Sequence, residues 1–282
     1  METAYPVNLG IALSGGGARG LAHIGVLKVF EREGIPIQLL TGASMGGIIA
    51  AVYATGQTAS EIEDIAVYMS KMRHLIRLLD IDRSRHGLLD QKHVRSFLTD
   101  IFGENSTFAD LRIPLALTCV DLYRGKEVVL REGSLVDAVL ATCAVPGLFP
   151  SVSIGDCELV DGGVLNNLPA DVARTMGARH VVAIDVAPDL LQDRDARVDW
   201  PRFFPRFGRD LFLAETIMTS TITRARLEAA CPDVLIRPVL TPNISIFWGF
   251  HLAADAIRAG EEAAEQALPA LFSLTSRVDG PS

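Results

Sequence analysis

Residues 37–54 read IQLLTGASMGGIIAAVYA. Ile37–Thr41 is an apolar run of strand length, and Ser44–Ala54 is an apolar, small-residue stretch of helix length closed by Gly56. Between them Gly42-Ala43-Ser44-Met45-Gly46 has the form G-x-S-x-G. Its position matters more than its letters. A tight strand-to-helix turn lifts a serine hydroxyl above the carboxyl end of a sheet, where it can act as a nucleophile. A helix N-terminus at Ser44 also favours negative charge developing beside it. The plainer reading makes Ser44 a helix cap in a run of small residues, and the five letters alone do not choose between the two.

Working outward, Asn8–Ser14 (NLGIALS) is a second apolar strand running into glycines, and Leu21–Phe30 carries apolar residues near helical spacing up to a capping Gly34. Thr58 and Glu61 form a capping box that opens a third helix. The resulting βαβα order predicts a parallel sheet with helices on both faces. Further on, Pro114–Leu122 and Lys126–Leu130 read as strands joined by Tyr123–Gly125, and Ser134–Ala144 as a helix. Val152–Ile154 and Glu158–Val160 flank a Gly155-Asp156 hairpin turn. Pro169–Met176 reads as a helix, His180–Val186 and Val234–Val239 as strands, and Ile257–Leu268 as the closing helix. No internal repeat is visible; residues 1–275 read as one domain and 276–282 as a loose tail.

Two more elements carry chemistry. Gly15-Gly16-Gly17-Ala18-Arg19-Gly20 lies between the first strand and first helix and matches G-x-G-x-x-G. A dinucleotide site needs an acidic residue at the end of the second strand. That strand instead ends IQLLTG and runs into Ser44, and the loop lacks the Gly-Lys-Ser/Thr ending of a phosphate loop. What is left is a nest of backbone N–H groups suited to an oxyanion, or a turn that needs glycine for its angles. Adjacent strands would set this loop beside Ser44, which favours the oxyanion. Asp161, in Asp161-Gly162-Gly163, follows the apolar Leu159-Val160, so a partly buried carboxylate at a strand end is expected, with a raised pKa that makes a better base. A lone Asp-Gly is usually only a turn.

The 282 residues are 49% hydrophobic with formal net charge −8, which gives no electrostatic footprint for nucleic acid. Cys119, Cys143, Cys157 and Cys231 have no metal-site or disulfide-framework spacing, so reduced cytoplasmic thiols are expected. The uncharged stretches Gly34–Ser60 and Ala138–Gly155 are broken by glycine and proline and read as core passages, not membrane spans, and residues 1–10 lack a signal-peptide pattern.

Together the chain resembles the patatin-like phospholipases, in their bacterial and neuropathy-target-esterase-like branch. The resemblance is carried by SGGGARGLAHIGVL from Ser14, GASMG at 42–46 and DGG at 161–163, with ATCAVPGLFP at 141–150 and VLNNLPADVAR at 164–174 beside them. It implies a three-layer α/β/α sandwich with a mainly parallel central sheet, and a Ser–Asp dyad in place of a triad. Ser44 would attack a lipid ester carbonyl, Asp161 would take its proton, and an acyl-enzyme would follow. Gly15, Gly16 and Gly17 would form the oxyanion hole, with Arg19 bracing the loop. No metal or cofactor is implied.

A conventional triad would need a histidine after the acid, and His251 is the one candidate. His180 precedes its strand, at the wrong end of the sheet; His23 suits a structural hydrogen bond; His74, His86 and His93 fall in an exposed-looking stretch. Lys71–His86 carries five Lys/Arg against Asp80 and Asp82, and Trp200–Phe212 interleaves aromatics with Arg202, Arg206 and Arg209. Such mixing suits a peripheral membrane contact, or else a solvated face and a buried aromatic cluster. A regulatory or scaffold protein that kept the fold is the alternative from another class. Oligomeric state is not readable.

Overall fold

The computed structural model describes residues 8–70, 91–188, 206–246 and 249–275. The stretch Lys71–His86, the first six residues of Trp200–Phe212 and the tail from 276 lie outside them. Strands β1 (Leu9–Leu13), β2 (Leu39–Gly42), β3 (Leu115–Asp121) and β7 (His180–Ile184) form the centre of one sheet, completed by β4 (Lys126–Leu130), β5 (Val152–Ile154), β6 (Cys157–Asp161) and β8 (Val234–Ile236). The order is β5-β6-β3-β2-β1-β7-β8, with β4 also paired to β3. From β3 to β8 the strands are parallel; β4, β5 and β6 pair antiparallel. The sheet is thus mixed, a parallel half carrying an antiparallel wing.

β1, β2 and β3 are buried at every position, which is why they read as unbroken apolar runs. Period-two alternation splits them between two cores. Leu9, Ile11, Leu13, Val182 and Ile184 face helices α1 (Ala22–Arg32), α2 (Ser44–Ala54), α3 (Ala59–Ser70), α4 (Lys92–Phe102), α5 (Leu135–Thr142) and α8 (Ala253–Thr275). Ala12, Leu39, Val181 and Ala183 face α6 (Ala170–Thr175) and α7 (Arg206–Ala230). This makes three layers. The Thr58–Glu61 capping box forms: Glu61 N–H donates to Thr58 Oγ1 (3.2 Å) and Thr58 N–H to Glu61 Oε2 (2.8 Å).

The sequence reading placed no helix at α4 or α7. It also ran the last strand to Val239, whereas β8 stops at Ile236, Pro238 being unable to donate to the ladder. α7 is fastened to the sheet by ion pairs: Arg226 reaches Asp171 (2.6 Å) and Glu127 (2.7 Å), and Asn166 Nδ2 donates to the same two carboxylates.

Candidate active site

The sheet register brings the two motif ends together. β2 lies against β3 as far as Gly42, opposite Leu117. β4 occupies the other edge of β3 from Leu117 to Asp121. β6 therefore shares the β2 edge, arriving antiparallel with Asp161 opposite Cys119. Two strands from distant parts of the chain thus abut end to end along β3, and both chains turn out of the sheet where they meet.

At the end of β2 the turn is sharp. Ala43 is extended and its N–H donates to Leu13 O (3.3 Å), while Ser44 takes φ +51°, a left-handed conformation it shares among described non-glycine residues only with Cys231. That conformation costs about 1–2 kcal/mol in an L-residue. Packing imposes it: a Cβ on Gly46 would fall 2.4 Å from Ser14 O and 2.5 Å from Leu13 O, so the turn sits directly on the backbone of β1. Ser44 N–H donates to Thr142 Oγ1 (3.1 Å), whose own hydroxyl donates to Thr118 O (2.7 Å) in the gap between the abutting strands.

Asp161 is 4% exposed. Burial pushes its carboxyl up to about 7; hydrogen bonds from the Ser44 hydroxyl and from Gly163 N–H (2.7 Å to Oδ1) pull the other way, and the Glu215 carboxylate on α7 adds to the upward push. The side chain is thus a carboxylate in contact with a serine hydroxyl, with proton affinity near neutrality.

The glycine loop runs alongside, because β1 and β2 are neighbours with Leu13 opposite Gly42. A Cβ on Gly15 would stand 3.0 Å from Ser44 Cβ. The Gly15 N–H, expected to lie in an oxyanion hole, here donates to Asn167 O (3.0 Å). Gly17 has φ +56°, and a Cβ there would fall 1.8 Å from Ile246 O. Arg19 Nε donates to Val186 O (2.6 Å) and a terminal nitrogen to Ile244 O (3.3 Å), tying the loop to the chain after β7 and to the segment before α8.

With this geometry in view, the patatin-like phospholipase family model matches residues 11–174, a span holding the glycine loop, Ser44 and Asp161. The chain belongs to the patatin-like phospholipase family. It is 33% identical over 187 residues to neuropathy target esterase sws of Drosophila melanogaster, covering 64% of this chain and 13% of that protein. To patatin-like phospholipase domain-containing protein 6 of Homo sapiens it is 35% identical over 186 residues, 63% of this chain and 13% of the other. An uncharacterized NTE family protein of Mycobacterium bovis is 32% identical over 178 residues, 62% and 48% of the two chains. The chain therefore corresponds to a small part of the long animal relatives. Among solved structures it resembles VipD from Legionella pneumophila, with TM-score 0.52 and 13% identity over 96% of this chain and 68% of that one, a likeness of fold.

The remaining groups of this patatin-like domain fall as follows. His23 is fully buried in α1, its Nε2 2.8 Å from Ser14 O, and burial lowers its pKa to about 4, so it is neutral. His180 sits at the amino end of β7, 3.2 Å from Asp233. His251 is exposed in a single 3-10 turn, Phe250–Leu252. Cys119 and Cys143 lie near Asp161, and burial, followed by that carboxylate, pushes both thiols far up, so neither is a thiolate nucleophile. Among the described residues no cluster of three His, Cys, Asp or Glu could hold a metal, and no helix is long and apolar enough to cross a membrane. Three site residues were missed in the sequence. Thr142 and Asn167 stand inside the quoted stretches ATCAVPGLFP and VLNNLPADVAR but received no role. Glu215 rides on a helix that was not foreseen.

Proposed function

We propose that the chain is a serine lipid acyl hydrolase with Ser44 as nucleophile and Asp161 as its general base. The observation that carries this reading is the hydrogen bond between the Ser44 hydroxyl and a buried Asp161 carboxyl held near pH 7. A base with that proton affinity is matched to work at neutral pH. Asp161 takes the Ser44 proton as Oγ attacks the ester carbonyl. The N–H groups of Gly16 and Gly17, which stand at the start of the 3-10 turn Gly17–Leu21, receive the oxyanion. The protonated Asp161 then hands its proton to the departing alcohol oxygen, leaving an acyl ester on Ser44. Water, deprotonated by the same carboxylate, attacks that ester; Asp161 returns the proton to Ser44 Oγ as the C–O bond breaks, releasing the fatty acid and free Ser44.

The family supports a lipid ester as substrate, reached by peripheral contact with a lipid surface. Exposed Leu211, Ile217 and Met218 on α7, the helix that carries Glu215, support such a contact. The four free cysteines fit a reducing, cytoplasmic setting. The test is labelling with a fluorophosphonate, followed by assays on phospholipids, lysophospholipids and short esters. Ser44-dependent labelling and turnover are expected. A folded protein that neither labels nor hydrolyses any of them would instead support a regulatory role for the retained fold.

A further inference from the structure

We propose that Asn167 is a positioning residue of this site, the clasp that aims the Gly16 N–H at the oxyanion; the inference rests on the hydrolase reading above. Asn167 and Gly15 hold each other twice. Gly15 N–H donates to Asn167 O (3.0 Å), and Asn167 Nδ2 donates to Gly15 O (3.3 Å). The second bond matters for chemistry. Gly15 C=O and Gly16 N–H belong to one planar trans peptide and point in opposite directions. Fixing the carbonyl therefore fixes the N–H, at a glycine whose peptide could otherwise take more than one orientation.

The same side chain faces the other two parts of the site. Its Oδ1 would lie 2.4 Å from a Cβ on Gly15, a position that is also 3.0 Å from Ser44 Cβ. It would lie 3.0 Å from a Cβ on Gly163, a position also 3.0 Å from Asp161 Oδ1. The amide is thus wedged between the glycine loop, the serine turn and the Asp161 turn, and is 7% exposed. Its backbone position follows from Asn166, whose carbonyl accepts from Thr118 Oγ1 (3.1 Å) in the gap between the abutting strands. One short segment, Asp161–Asn167, thereby delivers both the base and the clasp.

The test uses the full chain with Asn167→Ala and the near-isosteric Asn167→Asp, measuring kcat and KM on a short ester and the rate of fluorophosphonate labelling. Loss of one oxyanion donor typically costs ~10²–10³ in kcat. Asn167→Ala should lose ~10²-fold in kcat with KM changed less than about threefold, and label correspondingly more slowly, while the thermal melt stays cooperative. Asn167→Asp, when ionised, cannot donate to Gly15 O and sets a second carboxylate beside Asp161. It should lose activity similarly and also move the acidic limb of kcat upward, with Glu215, Cys119 and Cys143, the other titratable neighbours of Asp161, unchanged. A folded Asn167→Ala with kcat within about threefold of wild type, or with its loss confined to KM, overturns the proposal alone. So does failure of both variants to fold, which would make Asn167 a residue of the fold. A wild-type chain that neither labels at Ser44 nor hydrolyses esters defeats the hydrolase reading, and the clasp with it.

Discussion

Gly42 and Asp161 end two strands that meet head to head on one edge of β3, opposite Leu117 and Cys119 respectively. Neither strand end is special by itself. Their meeting sets the serine that follows Gly42 against a carboxylate from far along the chain, and each experiment below probes a consequence of that junction.

Ser44→Ala should abolish fluorophosphonate labelling and lower kcat by at least ~10⁴-fold, as removal of a nucleophile does. The melting temperature should fall by only a few degrees: an alanine at φ +51° carries the same strain as the serine, and the loss is the one hydrogen bond to Asp161, worth about 1 kcal/mol. Labelling that persists in this variant would transfer the nucleophile elsewhere.

Asp161→Asn should also abolish turnover, and it should stabilise the protein in a pH-dependent way. Burial raises the folded-state pKa from 3.8 to about 7. The stability contributed by the protonated carboxyl is fully present below pH 3.8 and is lost as pH rises through about 7, where folding comes to hold a buried charge. An amide has no such charge. The gain in melting temperature of Asp161→Asn over wild type should therefore be larger at pH 8 than at pH 5, by the equivalent of a few kcal/mol at most. Equal gains at both pH values would show the carboxyl to be unperturbed.

The acidic limb of kcat/KM should fall near pH 7, not well below the histidine range as an ordinary carboxylate would give, because burial has moved Asp161 there. A histidine base with an unperturbed pKa of ~6.5 would give nearly the same profile. The pH curve thus does not distinguish dyad from triad, and His251 does. As an exposed side chain on a single turn, its replacement by alanine should leave kcat within about threefold. A folded, inactive His251→Ala would eliminate the dyad.

Thr142→Val should lower both stability and activity. It removes the acceptor of Ser44 N–H and the donor to Thr118 O at a fully buried site. Leaving such groups unpaired costs about 1–3 kcal/mol each. Chemical denaturation should show a lower midpoint, and Thr142→Ser, which keeps the hydroxyl, should recover most of the loss.

In the glycine loop the steric demands differ by position. Gly17→Ala would drive a Cβ to 1.8 Å from the Ile246 carbonyl at a left-handed φ, whereas at Gly16 the one close approach of a Cβ is to the Val186 side chain, at 2.8 Å, and Arg19 Cβ and Val186 O stand at ordinary contact. Gly17→Ala should therefore melt several degrees below Gly16→Ala. The reverse order would place the crowding elsewhere.

Much of this was legible in the sequence. Strands buried on both faces are written as unbroken apolar runs, so β1, β2, β3 and β7 could be placed from residues alone, and the capping box at Thr58 and Glu61 announced α3. Helix α4 was not read although Val94, Phe97, Leu98, Ile101 and Phe102 recur at helical spacing, a signal the residues themselves carried; α7 was not read because charge and threonine interrupt its apolar positions. The pKa of Asp161 was foreseen in direction only, since desolvation depends on what the rest of the chain places around it.

The sequence by itself determined the local chemistry: a serine at a strand-to-helix turn, a glycine run at a helix start, an acid at a strand end, and the family to which their combination belongs. Only the tertiary structure decided which groups meet. The register of β2 and β6 along β3 sets the Ser44–Asp161 contact, and the return of residue 167 to the first loop gives the Gly15 N–H its partner. Both are pairings between residues more than 100 positions apart. Local propensity carries no information about such pairs, because their free energy appears only when the sheet has closed around them.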